Sequence, residues 1–359
     1  MRGPLALFLA FATLFAGPAQ AESTTHLLGA DHPAPAFVDE LPAYQPDERV
    51  TGTLRIWGHG SFKRDFMGQL LAYWIAEFAK HQPDVKFENR MYGTASAIGS
   101  LYSGTGDIAI LGEEISPAAL RAFRRAKGYD PTGIEVANGS VDVNFYDYAH
   151  MIFVHRDNPI KGLTLKQLDA IFGEEGRRGG GQVRRWGQLG LGEAWRDAAI
   201  IPYGWKTDVD FGLFFRERVL EDSHRWNGAM REYEHQQRPD GTQYDHGQRI
   251  VDALATDRGG IAISNIRYKH PDVRPLPLAW DAKGPFVDAT PQTLIDRSYP
   301  LIRIIPAYVD VAPGQKMDPA QREFLRFLLS REGQRILIDH SGYLPLSAKT
   351  LAQELGKVK

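Results

Sequence analysis

A chain of 359 residues with 43% hydrophobic side chains is long enough for two domains of ordinary size. Its 42 basic and 44 acidic residues give a net charge of −2, which excludes nucleic-acid capture by bulk charge. The absence of cysteine excludes disulfides and a lipid-anchored cysteine, so stability must come from a packed core.

Arg2, an apolar run from Leu5 to Phe15, the breaker Gly17-Pro18 and Ala19-Gln20-Ala21 have the layout of a secretory signal peptide (1–21) cut after Ala21. The run is too short to cross a bilayer of about 30 Å. A protein outside the cytoplasm, periplasmic or secreted and without stable membrane insertion, is expected. Residues 22–50, rich in Pro, Ala, His and Asp, read as an extended leader.

Leu54–Trp57 reads as a strand running into Gly58-His59-Gly60-Ser61-Phe62. A helix follows, in which Phe66, Leu70, Trp74 and Phe78 recur every four residues, with Met67 and Leu71 widening the apolar stripe. Val85–Glu88 repeats the plan, leading through Tyr92-Gly93-Thr94-Ala95-Ser96 into a short helix and a third strand at Asp107–Leu111. Small residues at such turns let backbone N–H groups face a bound group at a helix start; tight strand–helix turning explains them equally. Ser116-Pro117 opens another helix as cap and first residue. Ala149–His155 is a buried strand, and Thr164 caps a helix reaching Phe172.

The stretch 174–192 carries Arg177, Arg178, Arg184 and Arg185 among glycines and reads as a mobile, exposed basic loop, either solvated or a docking patch. Strands at Ile200–Tyr203 and Gly260–Ser264 flank a helix at Phe211–Leu220. Leu301–Val309 is a strand that Pro306 assigns to an edge or crossover. A last amphipathic helix from Pro319 turns Phe324, Leu325, Leu328 and Leu329 inward. This alternation predicts an α/β fold with mainly parallel sheets.

His59, His150 and His155 offer no zinc-like spacing with a third ligand, so no metal and no cofactor is expected. Ser61 lacks the Gly-x-Ser-x-Gly elbow of a nucleophile. Trp57, Phe62, Tyr92 and Trp205 suit either a cleft or the core.

The order of segments resembles the periplasmic phosphate-binding proteins of ABC transporters, within the two-domain solute-binding proteins. The likeness is carried by Gly93–Ser96 with Asp107–Ala109, by Asn158-Pro159 with Leu163–Leu168, Ile171–Gly173 and Arg185-Trp186, by Gly259–Ile263, and by Tyr299–Arg303 with Phe324–Gln334 and Gly342–Leu346. It implies a two-lobed periplasmic binding protein (type II) fold with the ligand in the cleft between lobes. The expected division is 51–145 for the first part of lobe 1, 146–290 for lobe 2, and 291–359 returning to lobe 1. It further implies a non-enzymatic, monomeric receptor for a small solute, phosphate or another ligand, delivering to an ABC permease. A secreted phosphatase-like hydrolase and a structural or adhesive protein without ligand are the alternatives.

Ligand contacts are expected from Ser61, Phe62, Thr94, Ser96, Glu113, Lys206, Thr207 and Asp208, because loops beyond the carboxyl ends of strands converge on one crevice. The family's arginine and its Ser-Gly-Thr helix opening, however, fall at Trp205 and at Val209-Asp210-Phe211, and its first-lobe aspartate falls at Gly112 beside Glu113 and Glu114. Each change weakens an anion site.

Overall fold

The computed structural model describes residues 35–59, 66–140 and 149–358; the signal-peptide segment, Ser61 and Phe62 lie outside them. The first run holds β1 (Gly52–Gly58), α1 (Phe66–His81), β2 (Val85–Arg90), α2 (Thr94–Tyr102), β3 (Ile108–Ile110), α3 (Pro117–Lys127) and β4 (Thr132–Ser140). A second run holds β5 (His150–His155), β6 (Leu163–Thr164), α4 (Leu165–Phe172), β7 (Ile201–Trp205), α5 (Asp210–Leu220), β8 (Arg231–Tyr233), β9 (Gln236–Gln237), β10 (Gln243–Tyr244), α6 (His246–Leu254), β11 (Gly260–Asn265), β12 (Val273–Pro275) and β13 (Leu278–Ala279). The last run holds α7 (Pro291–Ile295), β14 (Ile304–Val309), α8 (Pro319–Leu328), α9 (Arg331–His340), β15 (Tyr343–Leu344) and α10 (Ala348–Lys357).

Local chemistry sets the element boundaries as the sequence predicts. Ser116 accepts the Ala119 N–H at 3.2 Å with Pro117 next to it, and α3 stops at Gly128 with φ 85°. Thr164 and Gln167 close a capping box at the start of α4. The stripe of α1 is fully buried at Met67, Leu70, Leu71, Trp74 and Phe78, and the Trp74 indole N–H donates to the Gly333 carbonyl at 2.9 Å, tying α1 to α9. Phe324, Leu325, Leu328 and Leu329 all point inward from the α8 region.

Each lobe is a sheet covered by helices. The first sheet has the order β15-β4-β14-β3-β1-β2 and the second β12-β5-β11-β7-β8. Only part of each is parallel: β1 with β2 and β3, and β7 with β11 and β8. The strands β14, β4 and β15 pair antiparallel, as do β5, β11 and β12. The expectation of mainly parallel sheets is thus corrected to mixed sheets, because strands distant in sequence insert with reversed direction. Pro306 is not at an edge: β14 lies between β4 and β3, and the register with β4 shifts between Ile305 and Pro306. A bulge tolerates the missing N–H there.

The leader is not simply extended. Its described part turns through a 3₁₀ helix at Ala36–Glu40 and buries Val38, Leu41 and Tyr44 against the first core. The Tyr44 hydroxyl donates to buried Glu323 at 2.7 Å. The basic stretch 174–192 is likewise corrected, since its arginines bind main-chain carbonyls rather than solvent alone. Arg178 donates to Val219 and Arg218 oxygens, each at 2.7 Å, and Arg184 to the Ala170 oxygen at 2.9 Å. Arg177 and Arg185 bond the Glu221 and Asp197 oxygens, each at 2.8 Å. Arg177, Arg178 and Arg184 there meet the carboxyl ends of α4 and α5, where the last carbonyls lack helical partners and the dipole is negative.

Candidate functional site

The loops after β1 and β2 converge. His59 Nδ1 stands 3.2 Å from Thr94 Oγ1, and the Gly93 N–H donates to the Gly58 carbonyl at 2.9 Å. This closeness needs a glycine at 58, where a Cβ would stand 2.4 Å from the Ile110 carbonyl oxygen. Gly93 precedes α2 with φ 134° and ψ 151°, a conformation that side chains rarely adopt. Thr94 is half-buried at the helix start, and the Ser96 hydroxyl donates back to the Gly93 oxygen at 2.9 Å.

Glu113 and Glu114 follow β3 and reach the return segment. Arg303, only 1% exposed, pairs with Glu114 Oε2 through Nε at 3.0 Å and with Glu113 Oε2 through Nη2 at 3.3 Å. Glu114 Oε1 accepts the Ile304 N–H at 3.0 Å, and the guanidinium lies 4.7 Å from the centroid of Phe214 on α5. A charge so buried is tolerated only when paired and hydrogen-bonded. Glu113, Glu114, Ser116, Leu213, Phe214, Glu217 and Arg303 enclose a pocket of ≈ 30 Å³ between the lobes. Burial, with Asp222 and Glu114 nearby, raises the Glu217 carboxyl above its ordinary range despite Arg216 and Arg303.

On the second lobe, Trp205 ends β7 at 1% exposure and stacks on Phe211 with centroids 4.9 Å apart and planes at 29°. It is a core residue, which decides between the two readings its sequence position allowed. The helix α5 opens at Val209 with no side-chain cap. Lys206 and Thr207 are half-buried and Asp208 is exposed on the turn between; Lys206 Nζ stands 3.4 Å from Glu234 Oε2. Among the described residues no hydrogen bond or ion pair joins this turn to Thr94, Ser96 or Glu113. The sequence reading missed Arg303 in this constellation, although one signal existed: a single cation within Leu301-Ile302-Arg303-Ile304-Ile305 has to be paired if the strand is buried.

Residues 47–332 match the family described as PBP superfamily domain. Over 323 residues the chain is 32% identical to the phosphate-binding protein PstS of Pseudomonas aeruginosa, which covers 90% of this chain and 92% of the relative. The chain belongs to the phosphate-binding-protein family of the PBP superfamily. Protein SphX of Synechococcus elongatus is 24% identical over 276 residues, 76% of this chain and 73% of that protein. In fold, this PBP resembles PstS from Borrelia burgdorferi, with a TM-score of 0.55 at 15% identity, covering 84% of this chain and 100% of the other. An ABC-type phosphate transport receptor from Vibrio cholerae gives 0.50 at 14% identity over 81% and 99%. The two-lobed α/β fold and the solute-binding class are therefore those of this PBP.

His150 packs against Trp205 and Phe214. It is fully buried, its ring 4.8 Å from Trp205 and 4.7 Å from Phe214, and among the described residues neither ring nitrogen has a hydrogen-bond partner. Burial, reinforced by Arg303, holds the imidazole well below its ordinary range, so it is neutral in the folded PBP. The unfolded chain takes up that proton below about pH 6.5, so the stability is fully present above that pH and is lost as pH falls toward the folded value. Urea midpoints measured from pH 7.5 to 5 should fall with a component of up to about 1.4 kcal/mol per pH unit. His150→Leu should remove that component, and a pH-independent difference between the two proteins would contradict it.

Proposed function

We propose that this PBP is an extracytoplasmic receptor whose inter-lobe site has been remodelled so that free phosphate is not its tightly held ligand. The single observation that carries the reading is the buried Trp205–Phe211 stack at the positions where the family resemblance expects an arginine and a helix-opening threonine. An arginine fork gives bidentate, charge-assisted hydrogen bonds to a phosphate, and an indole gives none. The carboxylates of Glu113 and Glu114, placed after β3 and paired with Arg303, add charge of the wrong sign for an anion.

The wider role follows the relatives. PstS is a phosphate-binding protein by name, and the chain is read as a periplasmic, monomeric partner of an ABC permease, released by cleavage after Ala21. No described helix is long and apolar enough to cross a membrane. The ligand is a small solute, contacted by Ser61, Phe62, Thr94, Ser96 and Glu113 from one lobe and by Lys206, Thr207 and Asp208 from the other.

Titration calorimetry of the mature chain with inorganic phosphate at low salt tests this reading. Losing an arginine fork and two hydroxyl donors costs roughly 3–6 kcal/mol, or two to four powers of ten in affinity. Phosphate should therefore give no saturation below about ten micromolar. A dissociation constant tighter than that would restore the ordinary phosphate-capture role.

A further inference from the structure

We propose that His235, Asp245 and His246 form a binding site for a borderline divalent transition metal, of which Zn²⁺ is the reference case, on the rim of the second lobe. The β9–β10 hairpin builds it. Tyr244 pairs with Gln236 and Gln243 with Gln237, and the same register carried one residue further sets Asp245 opposite His235. Asp245 then caps α6 and His246 is its first residue. One donor atom from each of the three side chains lies within 4.8 Å of the others.

One donor spacing is close to that around a bound ion, and the rings have to turn for the others to follow. His235 Nδ1 stands 3.7 Å from Asp245 Oδ2, whereas two ligands on one tetrahedral zinc at its usual bond lengths stand roughly 3.3–3.5 Å apart. The two imidazoles stack with centroids 3.9 Å apart, and the His235 Nδ1 lone pair is turned inward, where it accepts the His246 backbone N–H at 3.2 Å. A metal takes over that lone pair by displacing the His246 N–H, and the stacked rings turn apart so that one nitrogen of each faces the ion.

Asp245 is also oriented by its surroundings. Its Oδ1 accepts the Gly247 N–H at 2.9 Å and the Tyr268 hydroxyl, while Oδ2 is the oxygen nearest His235. Tyr268 can lie there only because residue 247 is glycine: a Cβ would stand 1.9 Å from Tyr268 Cε2. Partners of this kind fix the direction of a ligating carboxylate. Two imidazoles and one carboxylate, without thiolate, suit Zn²⁺, Ni²⁺ or Cu²⁺ rather than the all-oxygen preferences of Mg²⁺ and Ca²⁺. Three protein ligands leave a coordination position for water or an incoming anion. His246 packs 6.2 Å from Trp205 and 5.7 Å from Phe211 between ring centroids, so the ion would sit next to the remodelled turn.

The test uses the full mature chain without a histidine tag, in a buffer that does not chelate, titrated calorimetrically with ZnCl₂ and separately with MgCl₂ and CaCl₂. One Zn²⁺ per chain with micromolar or tighter affinity, and no response to Mg²⁺ or Ca²⁺, is expected. His235→Ala, at a largely exposed side chain, should weaken Zn²⁺ at least about tenfold, and Tyr268→Phe, which keeps the ring and removes the hydroxyl, about tenfold. Absence of Zn²⁺ binding at millimolar concentration, or binding unchanged in both His235→Ala and the cap-preserving Asp245→Asn, would overturn the assignment.

Discussion

Arg303→Met should destabilise the folded protein by about 3 kcal/mol, read as a lowered urea midpoint at unchanged m-value. Removing one partner of a buried ion pair costs roughly 3–5 kcal/mol, because the charge left behind is neither solvated nor neutralised. The low end applies here because Glu113 and Glu114 keep side-chain exposures of 26% and 24%, so water takes up part of their charge. The loss should shrink in acid, where the abandoned carboxylates take up protons. It should also be largely recovered in the triple variant with Glu113→Gln and Glu114→Gln, since replacing all members of a buried ionic group is far less costly than breaking it. A loss under about 1 kcal/mol would mean that Arg303 is not the counter-charge of this pocket.

The second large effect is a gain. Trp205→Arg combined with Val209→Ser, Asp210→Gly and Phe211→Thr should raise phosphate affinity by about two powers of ten over the parent. This is the lower part of the range that an arginine fork and two hydroxyl donors supply. The lower part is expected because Glu113 and Glu114 remain, and because a new guanidinium beside the fully buried His150 enters a site already desolvated. Calorimetry with phosphate measures the gain, and circular dichroism checks that the variant folds. A folded variant with no gain would place the obstacle in the first lobe rather than at the second-lobe turn.

Much of the architecture was legible because its signals are local. A four-residue apolar repeat gives α1, a Ser-Pro pair opens α3, and Thr164 with Gln167 opens α4. Strand direction was not legible, since it depends on partners far away: Ala307 of β14 pairs with Ile110 of β3, and nothing near either residue encodes the sense of that pairing. The arginines of 174–192 were misread for a related reason. A basic, glycine-rich stretch looks solvated until the helix ends that receive it are in place.

The site divides in the same way. An aromatic residue at 205, where the resemblance expects an arginine, is visible residue by residue, whereas the pairing of Glu113 and Glu114 with Arg303 spans about 190 residues and appears only when the return strand lies beside the loop. The His235–Asp245–His246 cluster is not legible in the sequence, because only the β9–β10 hairpin register sets Asp245 and His246 beside His235.

The strand order of the first sheet has a consequence for a chain that leaves the ribosome amino end first. The second lobe's core is drawn from residues 149–302 with Leu344 as its one outlying buried member, so nearly all of it is in hand before residues 303–359 have emerged. The first sheet, by contrast, keeps the face of β4 that β15 covers, and the gap between β4 and β3 that β14 fills, unpaired until the last part of the chain arrives. Unpaired strand edges are templates for wrong partners. The half synthesised first is thus the half completed last, and its early strands are the part of the nascent chain that most needs shielding until the return segment arrives.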